Sequence, residues 1–162
     1  MDGKLRPMTA VYILQGEKIL LLYRVGSRVV APGFCGVGGH FEKEELCDAR
    51  ACVLREMHEE IGLGESDLMD MQMRYVTLRL KNGEIRENYY FFAQLKPDVN
   101  ITESCGEGRL EWADMCSVLD KKMPHTAWHM LAHYLREGRY TDMLYGGVTT
   151  EKGVVFTPMQ EF

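Results

Sequence analysis

The sequence is poor in several features that would each mark a special class of protein. It has no apolar run near the roughly 20 residues that span a bilayer. It has no CxxC pair, and its five cysteines (Cys35, Cys47, Cys52, Cys105 and Cys116) are an odd number in a chain of 162 residues. A small disulfide scaffold is therefore not expected; reduced thiols are, with a zinc site as the weaker alternative. Positive charge is not in excess, since the formal net charge is −5. Neither polymeric nucleic acid nor a membrane is an expected partner, because such partners call for a basic surface. A phosphate-bearing small molecule stays open, provided a cation mediates the contact. There is no repeat, low-complexity tract or long linker. The opening MDGKLRPMTAVYILQG lacks a small-residue cleavage site, so no secretory leader and a cytoplasmic location are expected. What is present is ordinary: 46% hydrophobic and 27% charged residues, a folded balance that excludes disorder, collagen and coiled coil. The length suits one domain with its own core.

Patterning predicts the elements. Residues 8–14 (MTAVYIL) and 18–24 (KILLLYR) read as strands around a Gln15-Gly16-Glu17 turn. Residues 29–39 carry too much glycine and proline for a long helix. Residues 49–61 are the clearest helix, with Ala49, Cys52, Val53, Met57 and Ile61 mainly three or four apart, Asp48 as N-cap, and Gly62 or Gly64 as the stop. Residues 69–80 and 87–95 read as strands joined through Asn82-Gly83, a hairpin dipeptide. A short strand is expected at 110–112, helices at 113–119 and 126–137, and a closing strand pair at 143–148 and 154–157. Strands, helix, strands, helices imply a mixed sheet with helices packed on it, an α/β layered domain.

The chemically informative segment is Arg55-Glu56-Met57-His58-Glu59-Glu60-Ile61-Gly62-Leu63. A helix puts Glu56, Glu59 and Glu60 on one face, at i, i+3 and i+4. Like charges so placed weaken a bare helix by about 0.2–0.5 kcal/mol per pair, so a cation is expected among them. An oxygen-only set suits a hard divalent ion, Mg²⁺ before zinc, and magnesium commonly bridges to substrate phosphates. A plain solvated helix face is the alternative.

The glycines Gly36, Gly38 and Gly39 precede that helix. Together the two segments resemble the box of the Nudix (MutT-like) hydrolases, G-x5-E-x7-R-E-U-x-E-E-x-G-U with U aliphatic. The second half fits fully, from Arg55 to Leu63. Gly39 and Glu45 satisfy G-x5-E, but nine residues rather than seven separate Glu45 from Arg55, and counting back from Arg55 places Cys47 at the glutamate's position. A two-residue insertion within 41–48 is the simplest account, and Glu42, Glu44 and Glu45 are all candidates for the first box glutamate.

The resemblance implies an α/β/α sandwich with a mixed β-sheet, one domain over 1–162, and hydrolysis of a nucleoside diphosphate linked to another group. It implies Mg²⁺ or Mn²⁺ as cofactor, Glu56, Glu59 and Glu60 as metal ligands, Gly39 and its loop as part of the metal site, and Arg55 as the residue that orients a glutamate. Gly38 and Gly39 would line the substrate. The segment Glu107-Gly108-Arg109-Leu110-Glu111-Trp112 resembles the E-G-x-x-E-W of MutT-type members, which makes Glu107 a candidate general base and Glu111 structural. Arg24, at the end of the second strand, would contact a substrate phosphate. His125 and Trp128 lie where oxidised-purine members line the base pocket, although no Asp or Asn follows them within the helix. Tyr23, Tyr89, Tyr90 and Phe92 are either base-stacking or core residues. His125, His129 and His133 share a helix face, and adjacent pairs suit a transition metal unless they are ordinary core or exposed histidines. The implied reaction is cleavage of a nucleoside triphosphate, 8-oxo-dGTP first among them, to the monophosphate and pyrophosphate, by a monomer or homodimer. ADP-ribose or dinucleoside polyphosphate hydrolysis, and a catalytically silent nucleotide-binding domain, are the alternatives.

Overall fold

The computed structural model describes residues 3–25, 32–101, 104–105 and 108–161. The strands are β1 (Lys4–Gln15), β2 (Lys18–Arg24), β3 (Gly33–Cys35), β4 (Leu68–Lys81), β5 (Glu84–Leu95), β6 (Ser104–Cys105), β7 (Gly108–Asp114), β8 (Leu144–Thr150) and β9 (Gly153–Met159). The helices are α1 (Ala49–Ile61) and α2 (His125–Arg136). The strands form one sheet in the order β6-β7-β2-β1-β5-β4-β8-β9, with β3 beside β2. β1 with β5 and β4 with β8 run parallel and the other pairs antiparallel, so the sheet is mixed as expected.

Strand alternation feeds two cores. Val11, Ile13, Leu20, Leu22, Phe91 and Ala93 pack with Val53 and Met57 of α1. Their neighbours Tyr12, Leu14, Ile19, Leu21, Tyr90 and Phe92 pack with Met130, Leu131 and Tyr134 of α2. Successive strand residues face opposite ways, so the two helices cover opposite faces and the layers are α/β/α. Met57 is fully buried; truncating it to alanine removes about 2–5 kcal/mol.

The α1 boundaries follow from its ends. The Asp48 carboxylate accepts from the Ala51 N–H at 2.9 Å, and Gly62 closes the helix at φ 71° with its N–H on the His58 carbonyl. Such an N-cap is worth about 0.5–2 kcal/mol. Asn82 and Gly83 both take positive φ, as the tight β4–β5 hairpin requires.

Two expectations need correction. Residues 113–119 are not a helix: Ala113 pairs with Ile19 in the β2–β7 ladder, the Met115 N–H bonds the Glu17 carbonyl, and only Val118–Asp120 makes a single tight turn. Backbone pairing to β2 outweighs the helical spacing of the apolar side chains. The first strand also begins four residues earlier than expected, at Lys4. It continues through Pro7 because β1 pairs with β5 along its whole length from Lys4↔Glu84 onward.

One topological detail positions the site. β1 and β2 pair only beside their turn, at Leu14↔Ile19 and Gln15↔Lys18. Beyond that they separate, and residues 33–40 fill the gap. β3 pairs with β2, while Val37 and His40 bridge to Val11 and Met8 of β1. The glycine segment is thereby wedged into the sheet next to α1.

Candidate active site

The three glutamates of α1 sit at different depths. Val53 and Met57 face the sheet, and the next positions around the helix are Glu60 and Glu56. The Glu60 side chain is 3% exposed, that of Glu56 15% and that of Glu59 56%. A buried carboxylate needs partners. Glu60 accepts from Arg24 Nη2 at 2.5 Å and from the Gly38 N–H at 2.9 Å, and the same Arg24 nitrogen donates to the Gly38 carbonyl at 2.5 Å. Arg24 and the glycine loop are thus locked to the carboxylate helix.

Arg55 organises the outer side. Its Nη1 lies 3.0 Å from Glu56 Oε1 and 3.0 Å from Glu59 Oε2. Its Nη2 donates to the His40 carbonyl at 3.0 Å. Its Nε and Nη2 reach Glu45 Oε1 and Oε2 at 2.7 and 3.0 Å. Among the three loop glutamates, Arg55 therefore engages Glu45, which also caps its own turn by accepting from the Glu42 N–H at 2.9 Å. Glu42, Glu44 and Cys47 are exposed. The two-residue insertion is absorbed by the turn at Lys43–Glu45 and the residues that follow it.

Electrostatics follow the geometry. The Arg55 hydrogen bonds hold the Glu45 carboxyl down to about 2. Burial raises the Glu56 carboxyl above its usual range, opposed by Arg55 and reinforced by Glu59. A carboxylate so destabilised gains from a nearby cation.

Two glycines are required here. A Cβ on Gly39 would stand 2.5 Å from the Glu56 carboxyl carbon. Gly38 has φ 147°, and a Cβ there would lie 2.8 Å from the Ala10 backbone. The loop approaches both β1 and α1 as closely as backbone can.

Among the described residues, no three His, Cys, Asp or Glu side chains are already gathered as a metal cage. The donors present are nonetheless all oxygen. Glu56 and Glu59 reach one common nitrogen, and a carboxylate offers about four lone-pair positions. The Gly39 carbonyl accepts from the Thr9 N–H at 2.8 Å. This set fits a hard divalent cation.

The expected residues thus divide. Arg24, Gly38, Gly39, Arg55, Glu56, Glu59 and Glu60 come together. His125 and Trp128 do not join them: α2 lies on the other sheet face, and the Trp128 Nε1–H is occupied by the Leu119 carbonyl at 2.8 Å. The approach to α2 is nevertheless tied to β3 through the Phe34 N–H and the Lys122 carbonyl at 2.8 Å. Glu107 lies outside the described residues. Tyr90 and Phe92 are core, whereas Tyr23 packs on Phe34 and Tyr89 on Phe41, both half-buried. The histidine stripe is divided as well, since His133 Nδ1 lies 2.9 Å from the buried Tyr75 hydroxyl. The spacing of the box did not reveal Glu45 as the Arg55 partner; its position three after Glu42, at the end of a capping turn, is the signal that was there.

Comparisons with known proteins bear on the family and the fold. The NUDIX domain family profile matches residues 4–134. No curated protein sequence matches. Among solved structures, the MutT protein from Bacillus halodurans superposes with a TM-score of 0.66 at 21% identity, covering 97% of this chain and 99% of that one. A NUDIX hydrolase from Nitrosomonas europaea gives 0.69 at 14% identity, over 91% and 80%. The NUDIX domain of Shewanella oneidensis NrtR, in complex with ADP ribose, gives 0.63 at 12% identity, over 87% and 90%. The chain belongs to the Nudix domain family.

Proposed function

We propose that the protein is a Mg²⁺-dependent pyrophosphohydrolase that cleaves a nucleoside triphosphate, 8-oxo-dGTP being the first candidate, to the monophosphate and pyrophosphate. The observation that carries this reading is the pair of carboxylates, Glu56 and Glu59, each 3.0 Å from one Arg55 nitrogen, beside a Gly39 that leaves no room for a side chain.

Glu56, Glu59 and Glu60, with the Gly39 carbonyl, would hold the metal, which when bound neutralises phosphate charge and lowers the pKa of water. The chain's own residues supply the rest. Arg24 ends β2 beside Glu60 and Gly38, where its guanidinium meets an incoming phosphate. Arg55 keeps Glu56 and Glu59 in register and is itself fixed by Glu45 and the His40 carbonyl. A glutamate takes the proton of the attacking water; Glu107 is the later-loop candidate, and Glu56, with its raised carboxyl pKa, the helix candidate.

A second reading, hydrolysis of ADP-ribose, is favoured by the ADP ribose bound to the Shewanella domain. A panel of 8-oxo-dGTP, dGTP, ADP-ribose and diadenosine polyphosphates, compared by kcat/KM with Mg²⁺, separates the two. A triphosphate at the head supports the first reading, and ADP-ribose at the head replaces it with the second.

A further inference from the structure

Residues in register on one sheet face are close neighbours, and like charges placed directly opposite destabilise the sheet. This sheet nonetheless sets three arginines abreast. Arg6 of β1 is in register with Arg86 of β5, and Arg86 with Arg79 of β4. Two rows further in, Ala10, Tyr90 and Tyr75 occupy the same positions. Tyr90 and Tyr75 belong to the α2-side core, so the arginines share the face that α2 covers. The next row outward is Lys4, Glu84 and Lys81. Two adjacent rows therefore hold five cations and one carboxylate.

That single carboxylate is shared between two of them and offsets only part of the charge. Glu84 Oε2 stands 3.8 Å from Arg6 and 3.8 Å from Arg86, beyond hydrogen-bonding distance from both. The Arg86 Nε is buried and has no hydrogen-bond partner among the described residues. The α2 side of the rim carries no acid, and the nearest carboxylate on the β8 side is Glu151 in the β8–β9 turn. The first turn of α2 reaches the sheet through Thr126 and Thr149, whose hydroxyls are 3.1 Å apart. Thr149 follows Val148, the register partner of Leu78, and so lies beside Arg79. From Lys121 to Arg136 the sequence contains no Asp or Glu. In a chain of net charge −5 this is a marked segregation of charge.

The row also connects to the carboxylate site. His40 follows Gly39, its carbonyl is held by Arg55, and its Nε2 lies 3.4 Å from Arg6 Nη2.

We propose that Arg6, Arg86 and Arg79 form a second anion subsite, which takes a phosphate on the part of the substrate remote from the scissile anhydride. A nucleotide that carries a further phosphoryl group on its sugar is then bound more tightly than the same nucleotide without it. Guanidinium forks suit this task, because they bind phosphate oxygens in pairs. The link to turnover rests on the pyrophosphohydrolase reading above; the subsite itself does not.

The test compares ADP-ribose with 2′-phospho-ADP-ribose, and dGTP with guanosine 3′-diphosphate 5′-triphosphate. Affinity is measured by calorimetry in EDTA, and kcat/KM with Mg²⁺. The wild type is expected to bind the phosphorylated member of at least one pair about tenfold tighter or more, with the ratio falling as salt rises. Arg86→Gln should bring that ratio close to one. Arg79→Gln, at a half-exposed position, serves the same purpose if Arg86→Gln does not fold. Equal affinity within both pairs for the wild type overturns the subsite, and so does a preference that survives both substitutions. If no compound is hydrolysed, the pyrophosphohydrolase reading fails, and the binding ratios still decide the subsite.

Discussion

Arg55 holds Glu45 at two points, Nε to Oε1 at 2.7 Å and Nη2 to Oε2 at 3.0 Å, across a loop two residues longer than the family spacing. The pair fixes the guanidinium whose remaining nitrogen sits between Glu56 and Glu59. Glu45→Gln should therefore lower turnover without abolishing it, and Glu56→Gln should cost more, because it removes a carboxylate of the site itself. Steady-state kinetics on both variants give the comparison; equal and total losses would make Glu45 a direct participant.

The same pair predicts an acid-sensitive contribution to stability. The Glu45 carboxyl is held down to about 2, so its stabilisation is present above the ordinary carboxylate range and is lost as pH falls toward 2. Charge-assisted hydrogen bonds of this kind contribute about 1.5–3 kcal/mol. Urea unfolding in EDTA should show Glu45→Gln less stable than the wild type at pH 7, with the difference shrinking between pH 4 and pH 2, below the ordinary glutamate value of roughly 4.3.

Much of this arrangement is legible in the sequence, and the exceptions have physical reasons. The spacing of Cys52, Val53 and Met57, with Asp48 before and Gly62 after, gives α1 its bounds, because local capping and periodicity both act within that segment. Asn82-Gly83 gives the β4–β5 hairpin for the same reason. The misread segments depend on distant partners. Residues 113–119 have helical spacing, but β2 takes Ala113 into its ladder. Pro7 argues against a strand locally, yet β5 pairs across it. In the site, the Arg55 partner was hidden by the insertion, and the arginine row is invisible until strands remote in sequence are set in register.

Arg24 and Glu60 supply a further prediction. The Glu60 carboxylate is 3% exposed and faces Arg24 at 2.5 Å. Removing one member of a fully buried pair costs about 3–5 kcal/mol, and less here because Arg24 is 32% exposed and Glu60 keeps the Gly38 N–H. Arg24→Gln should be destabilising, and adding Glu60→Gln should recover part of the loss. A double-mutant cycle by urea unfolding measures this coupling; strictly additive effects would show that the pair is not a unit.

His133 predicts a pH dependence near neutrality. It is buried against Tyr75, and burial lowers its pKa despite Glu137 beside it, with Arg136 adding to the lowering. The unfolded chain binds the proton more readily, so stability is full above the ordinary histidine value and declines as pH falls below about 6.5. His40 and His129 are lowered by burial too and add to the same slope. His133→Gln should reduce the slope of unfolding free energy between pH 7 and pH 5; an unchanged slope would remove His133 from this role.

Gly39→Ala tests how closely the loop must approach α1. Its Cβ would fall 2.5 Å from the Glu56 carboxyl carbon, and the carboxylate, at the end of a flexible chain, is what must move. Turnover should drop by tenfold or more while the thermal midpoint changes by only a few degrees.

The central claim is that the carboxylates of α1 carry metal-dependent anhydride hydrolysis. Pyrophosphate release from 8-oxo-dGTP and dGTP, followed for the wild type and Glu56→Gln across a Mg²⁺ titration, tests it most directly. The account predicts turnover that rises with Mg²⁺ in the wild type and is abolished in a folded Glu56→Gln. Pyrophosphate release that is indifferent to Mg²⁺, or is undiminished in Glu56→Gln, would contradict it.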